Sequence, residues 1–274
     1  MLDEGRKAVL SRIKEYETAG LFDKDVEADP PHVTLLPDKI DYTGEKFCSK
    51  FSTRIANTIA VWYYENELKK GNYAIKEVNG IENFLSVEGG AVITCNHFSV
   101  YDNYAVYRTI SKHLNRRNLY KVIKEDNYTN FKGLYGFFFR HCNTLPLSSN
   151  TQTMIKFLRA IKTLLERGEK ILIYPEQAMW WNYKKPRPMK DGAFKLAAMN
   201  KKPVIPCFIT MEDGEKVLHD GSLSQKYTVW YLPPIYPKEE LSEKENIKYM
   251  KEKNYELWKD LYERVYGEEL KYGD

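Results

Sequence analysis

From residue 90 onward, short apolar strands and helices alternate along the chain, and this alternation constrains the fold more than any other feature. Residues 91–95 (AVITC) and 170–174 (KILIY) are typical, since each is an apolar run rich in β-branched side chains that follows a glycine or a glycine-containing turn. Such strands are usually buried on both faces, as in parallel sheets. We therefore predict an α/β fold with a mixed, largely parallel sheet flanked by helices. The predicted strands are 91–95, 119–123, 170–174, 204–209 and 227–232, and the predicted helices are 102–114, 150–167, 190–199 and 241–266.

The first 79 residues are predicted to form a separate helical region. A short amphipathic helix is expected over residues 1–20 and a longer one over residues 45–70. Apolar side chains recur on one face of the longer helix at spacings of four, four, four and three residues: Phe47, Phe51, Ile55, Ile59 and Trp62. A basic flank runs beside them: Lys46, Lys50 and Arg54. This pattern is typical of a helix at a membrane interface, although an ordinary helix packed on the domain is the alternative. The predicted division is a membrane-contact region over 1–79 and an α/β domain with a C-terminal helix over 80–274.

Composition excludes several other classes of protein. With 274 residues, of which 43% are apolar, the chain can bury a substantial core and is not intrinsically disordered. The four cysteines are scattered without a C-x-x-C pair, which argues against a disulfide scaffold or a zinc site and favours a reducing compartment. The charged opening residues predict no cleaved leader, and the longest uncharged apolar run, residues 55–64, is about half of what a membrane-spanning helix needs.

Charge is distributed unevenly along the chain. The net charge is only +4, but residues 108–202 carry 20 Lys and Arg against 6 Asp and Glu. This excess indicates an anionic partner, which could be a nucleic acid, a phosphorylated small molecule, an acidic carrier or an anionic lipid surface. A solvated basic face is the alternative. We do not expect nucleic acid, because no helix-turn-helix, zinc-finger spacing or RNP-like strand accompanies the basic residues.

His97 and Asp102 are the first candidates for catalysis. His97 follows the predicted strand 91–95 by two residues, and Asp102 comes five residues later, at the start of the next predicted helix. Active groups of α/β sheets cluster at this carboxyl edge. A histidine held by a carboxylate has a fixed tautomer and can take a proton from a hydroxyl, while the carboxylate stabilises the resulting imidazolium. The spacing alone is common, however, and a structural histidine at a strand end is the alternative.

Two further segments complete a motif order. Glu176 follows the strand 170–174 within the sequence YPEQ, and Pro206 lies in the strand that begins VIP. Taken together, the matching residues are Asn96, His97 and Asp102, then Tyr174, Pro175 and Glu176, then Val204, Ile205 and Pro206, with Lys190, Gly192, Ala193, Leu196 and Ala197 in the intervening helix. In this order they resemble the motifs of the glycerolipid (lysophospholipid) acyltransferases, of which lysophosphatidic acid acyltransferase is the best-known member. The resemblance covers about residues 80–235.

The resemblance implies an O-acyltransferase. Such an enzyme moves a fatty acyl group from acyl-CoA or acyl carrier protein to a hydroxyl of a lysophospholipid or glycerol-phosphate lipid precursor, without a metal or other cofactor. His97 would be the general base and Asp102 would orient it, while backbone N–H groups at the N-terminus of the helix after His97 would bind the oxyanion. Asn96, Glu176 and Pro206 would belong to the substrate-binding residues. The expected location is cytoplasmic, peripheral on the inner face of the membrane.

The chain departs from the family at two blocks that usually carry arginine. Where the family has F-P-E-G-T-R-S, the residues after Glu176 are Gln177, Ala178, Met179 and Trp180. In the second block Ser148 and Ser149 stand where arginine is expected, and Arg140 lies several residues early. Lys184, Lys185 and Arg187 are candidates to replace these phosphate ligands. The alternatives are an acceptor without a phosphate, such as a glycolipid or lyso-aminolipid, and a non-catalytic lipid-binding relative.

Overall fold

One seven-stranded sheet organises the molecule. The computed structural model describes residues 2–27, 32–115 and 118–273. The strands are β1 (Tyr73–Asn79), β2 (Ala91–Thr94), β3 (Leu119–Ile123), β4 (Thr144–Pro146), β5 (Lys170–Ile173), β6 (Val204–Val217) and β7 (Leu223–Tyr231). Their order across the sheet is β1-β7-β6-β2-β5-β3-β4. Every neighbouring pair is parallel except β6 and β7, which form an antiparallel hairpin. The predicted mixed, largely parallel α/β fold is therefore confirmed.

Helices cover both faces of this sheet. They are α1 (Glu4–Thr18), α2 (Phe47–Lys69), α3 (Ile81–Leu85), α4 (Asp102–Ile110), α5 (Glu125–Thr129), α6 (Gly133–His141), α7 (Thr151–Glu166), α8 (Gly192–Met199) and α9 (Glu243–Tyr266). On one face, residues of α7, α8 and α9 form a core, with Phe157, Phe194 and Trp258 nearly inaccessible. On the other face the core comes from α2, α3, α4 and α6 and includes Tyr64 and Phe138.

Local sequence signals fix where the flanking helices begin and end. Asn150 caps α7 by accepting a hydrogen bond from the backbone of Thr153. Ser242 and Glu245 form a reciprocal capping box at the start of α9, and Gly267 ends that helix in the left-handed conformation. These signals explain why both long helices agree closely with their predicted ranges.

The predicted strands are all present, and two more were missed. β1 and β4 lie at opposite edges of the sheet. β1 belongs to the predicted N-terminal region, so the sheet draws strands from both sides of residue 79; the division into 1–79 and 80–274 remains a prediction. β6 is longer than predicted, with 14 residues against the four of its neighbour β2. The β6–β7 hairpin therefore extends beyond the carboxyl edge of the parallel strands, where it can form a wall beside the site.

The apolar face of α2 is left uncovered. Its five apolar residues are all exposed, with Phe47 at 82% and Trp62 at 68% of their full accessible surface. α2 instead packs on the domain through Ala56 and Tyr64. The helix thus has two apolar faces, and the second one has no partner among the described residues. Within the same residues, no helix combines the length and apolar character that crossing a bilayer requires.

Candidate active site

His97 and Asp102 form a hydrogen-bonded pair at the carboxyl edge of the sheet. His97 lies in the loop between β2 and α4, residues 95–101, which we call the His97 loop. Asp102 is the first residue of α4. His97 Nδ1 lies 2.7 Å from Asp102 Oδ2. Because a carboxylate can only accept here, Nδ1 carries the hydrogen and Nε2 keeps its lone pair. The His97 side chain is 23% exposed, whereas that of Asp102 is fully buried.

The Asp102 carboxylate is held by three further hydrogen bonds. Oδ2 also accepts the backbone N–H groups of Phe98 and Ser99, each at 3.1 Å. Oδ1 accepts the hydroxyl of Tyr174 at 2.7 Å. A buried carboxylate needs such donors to remain charged, and its place at the beginning of α4 adds a favourable interaction with the helix dipole. The orientation of the imidazole is therefore fixed by the Asp102 carboxylate, both oxygens of which accept hydrogen bonds from the protein.

Tyr174 contributes twice to this arrangement. Its ring stacks on the His97 ring with the centroids 4.0 Å apart, and its hydroxyl reaches Asp102. Burial, and then the nearby Asp102 carboxylate, raises the pKa of Tyr174 well above its ordinary range, so the phenol stays protonated and acts as a donor. Its positioning role was missed from the sequence. The available signal was a tyrosine where the family block has phenylalanine.

Glu176 and Arg187 form a buried ion pair next to the His97 loop. Arg187 Nη2 lies 2.9 Å from Glu176 Oε2, and both side chains are at most 2% exposed. The same carboxylate accepts the backbone N–H of His97 at 3.1 Å and that of Arg187 at 2.8 Å. Glu176 thus joins three segments and holds the backbone of His97, and its oxygens face protein donors rather than the exposed edge of His97.

The structure does not place Arg187 where a substrate phosphate could reach it. Its guanidinium donates to the carbonyl oxygens of Phe22, His97 and Ala178 as well as to Glu176. It also lies over the Trp180 ring, 4.7 Å from the centroid. The sequence interpretation of Arg187 as a replacement phosphate ligand is therefore corrected: the residue is buried and engaged by protein groups. Only Nε lacks an acceptor, and it is buried too.

The other basic candidates are also held by protein groups. Lys185 forms an ion pair with Glu17 at 2.7 Å, and the ammonium of Lys184 lies over the ring of Tyr266, 5.6 Å from its centroid. Arg140, near the end of α6, donates to the carbonyl oxygens of Tyr128 and Phe131. These contacts do not bring the three cations together at His97.

Asn96 and Pro206 support the site from within the sheet. Asn96 is buried, and its side-chain amide exchanges two hydrogen bonds with the backbone of Ile209, at 2.8 and 3.0 Å. Pro206 is paired in register with Thr94 of β2. Both residues hold β2 and β6 together at the point where the His97 loop begins. Each of them is buried.

Three further observations bear on the chemistry that this site can perform. The backbone N–H groups of Phe98 and Ser99, the first two after His97, donate to Asp102 and are therefore engaged. Cys95 is fully buried, and burial, followed by the neighbouring Cys207, raises the pKa of its thiol well above the ordinary range. It is therefore poorly suited to be a nucleophile. Among the described residues, no group of three His, Cys, Asp or Glu side chains is placed to hold a metal ion.

A cleft of about 590 Å³ opens beside the His97 loop. We call it the β6–β7 cleft, since the hairpin residues 216–223 form one wall. Residues 99–101 of the His97 loop form another wall, and residues 179, 181 and 182 form a third. The third segment is tied to the loop, because Trp180 and Asn182 donate backbone hydrogen bonds to the carbonyl oxygens of His97 and Phe98. Gln177, at the glycine position of the family block, keeps a left-handed backbone with φ 67°.

Comparison with known proteins agrees with this geometry. A family model described as Acyltransferase matches residues 76–210, which include the whole His97–Asp102 loop and Glu176. The crystal structure of the 1-acyl-sn-glycerophosphate (LPA) acyltransferase PlsC from Thermotoga maritima is similar in fold, with a TM-score of 0.50 and 20% sequence identity over 81% of each chain. A search of the curated proteins gives no match.

Proposed function

We propose that this chain, an acyltransferase by its family match over residues 76–210, transfers a fatty acyl group from an acyl thioester to a hydroxyl of a lysophospholipid or glycerol-phosphate lipid precursor. The observation that carries this proposal is the His97–Asp102 pair, with Nδ1 and Oδ2 2.7 Å apart. It leaves Nε2 of a partly exposed imidazole available as the base.

The reaction is a direct transfer between two substrates. His97 Nε2 takes the proton of the acceptor hydroxyl while the oxygen of that hydroxyl attacks the thioester carbonyl carbon. The tetrahedral intermediate then collapses with cleavage of the C–S bond, and the imidazolium returns the proton to the departing thiolate. The products are an ester and a free thiol. The buried Asp102 carboxylate stabilises the imidazolium throughout, so no enzyme nucleophile is required.

We further propose that the enzyme works as a peripheral protein on the inner, cytoplasmic face of the membrane. The exposed apolar face of α2 supports this, since its aromatic side chains can enter the interface. Lys46, Lys50 and Arg54 can then approach anionic headgroups. The donor is acyl-CoA or an acyl carrier protein, both of which are anionic and suit the basic segment 108–202.

An acceptor without a phosphate is a second candidate, and one observation favours it. Arg187 is engaged by Glu176 and by three carbonyl oxygens, so the missing family arginines have no evident substitute at His97. A non-catalytic lipid-binding role is not favoured, because a non-catalytic protein has no need of a satisfied buried carboxylate that orients a partly exposed histidine.

The test is thioester consumption by purified wild type, His97→Ala and Asp102→Asn. Palmitoyl-CoA and palmitoyl carrier protein are supplied with lysophosphatidic acid or glycerol 3-phosphate, with and without anionic vesicles. We expect His97→Ala to lower kcat by about 10²–10⁴-fold and Asp102→Asn to leave a measurable remnant. His113→Ala, an exposed histidine away from the site, is the matched control and keeps full activity. Undiminished turnover by a folded His97→Ala protein contradicts the mechanism.

A further inference from the structure

The β6–β7 cleft adjoins the His97 loop. It has room for the headgroup of an acceptor. Ser99, Val100 and Tyr101 line it directly, two to four residues after His97. Its opposite wall is the hairpin that extends past the sheet edge, from Lys216 to Leu223. A volume of about 590 Å³ is within the range of small-molecule sites. The size suits a single ring or polyol headgroup rather than a whole lipid.

The charges that line this cleft do not form an anion site. Among the described lining residues, two carry a permanent positive charge, Arg6 and Lys216, against three carboxylates, Glu27, Glu67 and Asp220. Arg6 is neutralised within the wall, since it contacts Asp220 and Glu27, each at 2.8 Å. Phosphate sites usually gather several converging cations, which this wall does not offer.

The remaining carboxylate is also engaged. Glu67 pairs with Lys70 at 2.9 Å and accepts the Asn72 amide at 2.6 Å. Lys216 donates to Asn72 Oδ1 at 2.7 Å and to the Lys70 carbonyl at 2.6 Å. Burial alone would raise the pKa of Glu67, but the hydrogen bonds from Lys70 and Asn72 outweigh it and lower the pKa. Glu67 therefore stays ionised within its pair with Lys70. Among the lining residues, Lys216 is a cation whose hydrogen bonds go to neutral oxygens, whereas the three carboxylates are paired with cations. The cleft therefore offers no converging set of cations for a phosphate and no unpaired carboxylate for an amine.

What the cleft does offer is aromatic surface interspersed with neutral hydrogen-bonding groups. Five aromatic side chains line it: Tyr63, Tyr101, Tyr135, Trp181 and Tyr227. Asn182 and Gln225 add amides. Flat apolar faces beside amides and hydroxyls suit a sugar ring or cyclic polyol, whose C–H face packs on an aromatic ring while its hydroxyls exchange hydrogen bonds.

We infer that the β6–β7 cleft binds a neutral, polyhydroxylated headgroup of the lipid acceptor. The inference rests on the proposed acyl transfer and names its acceptor class. A glycosyl lipid without phosphate and an inositol phospholipid share this headgroup chemistry. In the second case the phosphate lies outside the cleft.

Binding tests the inference separately from catalysis. Saturation-transfer NMR on His97→Ala protein compares octyl β-glucoside with octyl phosphate, two monomeric probes with the same tail. We expect the glucoside to bind at least about tenfold more tightly. Trp181→Ala weakens glucoside binding three- to tenfold by removing one aromatic wall. Tyr236→Ala, an exposed aromatic residue at the opposite edge of the sheet, changes nothing. Equal or tighter binding of octyl phosphate overturns the inference.

A second variant covers the case in which Trp181→Ala fails to fold. Val217 is 62% exposed on the rim of the cleft. Val217→Lys adds a cation there without disturbing the core, and we expect octyl phosphate binding to rise three- to tenfold while glucoside binding stays the same. If the added lysine leaves octyl phosphate binding unchanged, the charge argument for this cleft is wrong.

Acylation assays distinguish the two sources of the headgroup. Wild type is supplied with a monoglucosyl monoacylglycerol, lysophosphatidylinositol or lysophosphatidic acid. Higher kcat/KM for the glucosyl lipid alone identifies a phosphate-free acceptor, and higher kcat/KM for both polyol lipids identifies headgroup recognition independent of phosphate. Preference for lysophosphatidic acid overturns the inference. Absence of turnover with every acceptor contradicts the proposed function instead, and the NMR result then decides the cleft on its own.

Discussion

The hydrogen bonds around Asp102 would allow this buried carboxylate to serve the proposed reaction, which creates positive charge beside it. Three donors other than His97 hold the anion, and one of them is the neutral phenol of Tyr174. Their arrangement exists without a substrate, so the imidazolium of the proposed reaction would form next to a charge that does not need to reorganise. The stack of His97 on Tyr174 restricts the ring to one plane.

Tyr174→Phe separates these two contributions, because it removes the hydroxyl and keeps the stacked ring. We expect kcat to fall about three- to tenfold with KM unchanged, since one of four hydrogen bonds to Asp102 is lost. Tyr174→Leu, which also removes the stack, lowers kcat further. Steady-state kinetics with thermal unfolding as a folding control measures both variants. A rise in KM at constant kcat contradicts a positioning role.

Glu176 and Arg187 stabilise the site as a pair, and each is costly to remove alone. Both side chains are almost inaccessible, so a single substitution leaves an uncompensated buried charge. We expect Glu176→Gln and Arg187→Met each to lower the free energy of unfolding by about 3–5 kcal/mol. The double variant loses clearly less than the two single losses added together. Urea denaturation of the four proteins measures the coupling, and strict additivity contradicts the pair.

At the scale of elements, α2 is a helix with two apolar faces, one packed on the domain and the other exposed. Tyr64 and Ala56 face the domain core, while Phe47, Phe51 and Trp62 remain exposed. A contiguous exposed apolar face on a protein of this size usually marks an interaction surface. The flanking lysines favour an anionic lipid surface as its partner.

Phe47→Ser, Phe51→Ser and Trp62→Ser, combined in one protein, test this role of α2. Burying three aromatic side chains in the interface contributes several kcal/mol, so we expect vesicle binding to fall by about 100-fold or more. Sedimentation with anionic vesicles measures it, and circular dichroism confirms that the helix persists. A control protein carries three serines at exposed apolar positions of α7 and α9, Ile155, Leu158 and Val265. Equal vesicle binding by both proteins contradicts the proposed membrane contact.

At the scale of the whole molecule, the sequence was sufficient for the parallel centre of the sheet and insufficient for its edges. β2 and β5 are entirely buried, and apart from Thr94 and Lys170 their residues are apolar, so these segments predict strands directly. β1 has an exposed, partly charged sequence, YAIKEVN, and β4 has only three residues. Edge strands of this kind depend on pairing with neighbours, which local sequence does not encode.

The candidate site shows the same limit. His97 and Asp102 are close in sequence, on one strand-to-helix turn, and their contact could be predicted from that turn. The partners of Arg187 come from distant segments, among them Phe22, 165 residues away. Only the folded chain reveals that this arginine is buried, so its assignment as a phosphate ligand could not be corrected from the sequence.

The N-terminal helix α1 is fastened to the rest of the molecule at both ends. At its start, Asp3 donates a backbone hydrogen bond to Asp220, and Arg6 pairs with the Asp220 carboxylate at 2.8 Å. At its end, Glu17 pairs with Lys185. Between them Val9 and Ile13 share an apolar cluster with Trp180. α1 thus connects the β6–β7 hairpin to the segment that follows Glu176, so its attachment bears on the shape of the cleft.

Asp220 should make part of this attachment dependent on pH. Burial alone would raise its pKa, but hydrogen bonds from Ser222 and Arg6 outweigh it and lower the pKa from 3.8 to about 2. A lowered folded-state pKa stabilises the protein above the unfolded value, and this contribution disappears as the pH falls from about 4 to about 2. Because Arg6 is partly exposed, we expect Asp220→Asn to lower the free energy of unfolding by about 1–2 kcal/mol at pH 7.

Guanidinium denaturation of wild type and Asp220→Asn at pH 7, 5, 4 and 3 measures this difference. The two stabilities should converge as the pH falls below 4, because protonation removes in the wild type the charge that the variant already lacks. Asp38→Asn removes an exposed carboxylate that Lys39 also stabilises, and it provides the control. It should show a much smaller trend, because solvent screens an exposed pair. A difference that stays constant down to pH 3 would mean that the Asp220 carboxylate stabilises the hairpin through its shape rather than its charge, and that α1 is held mainly by the cluster around Trp180.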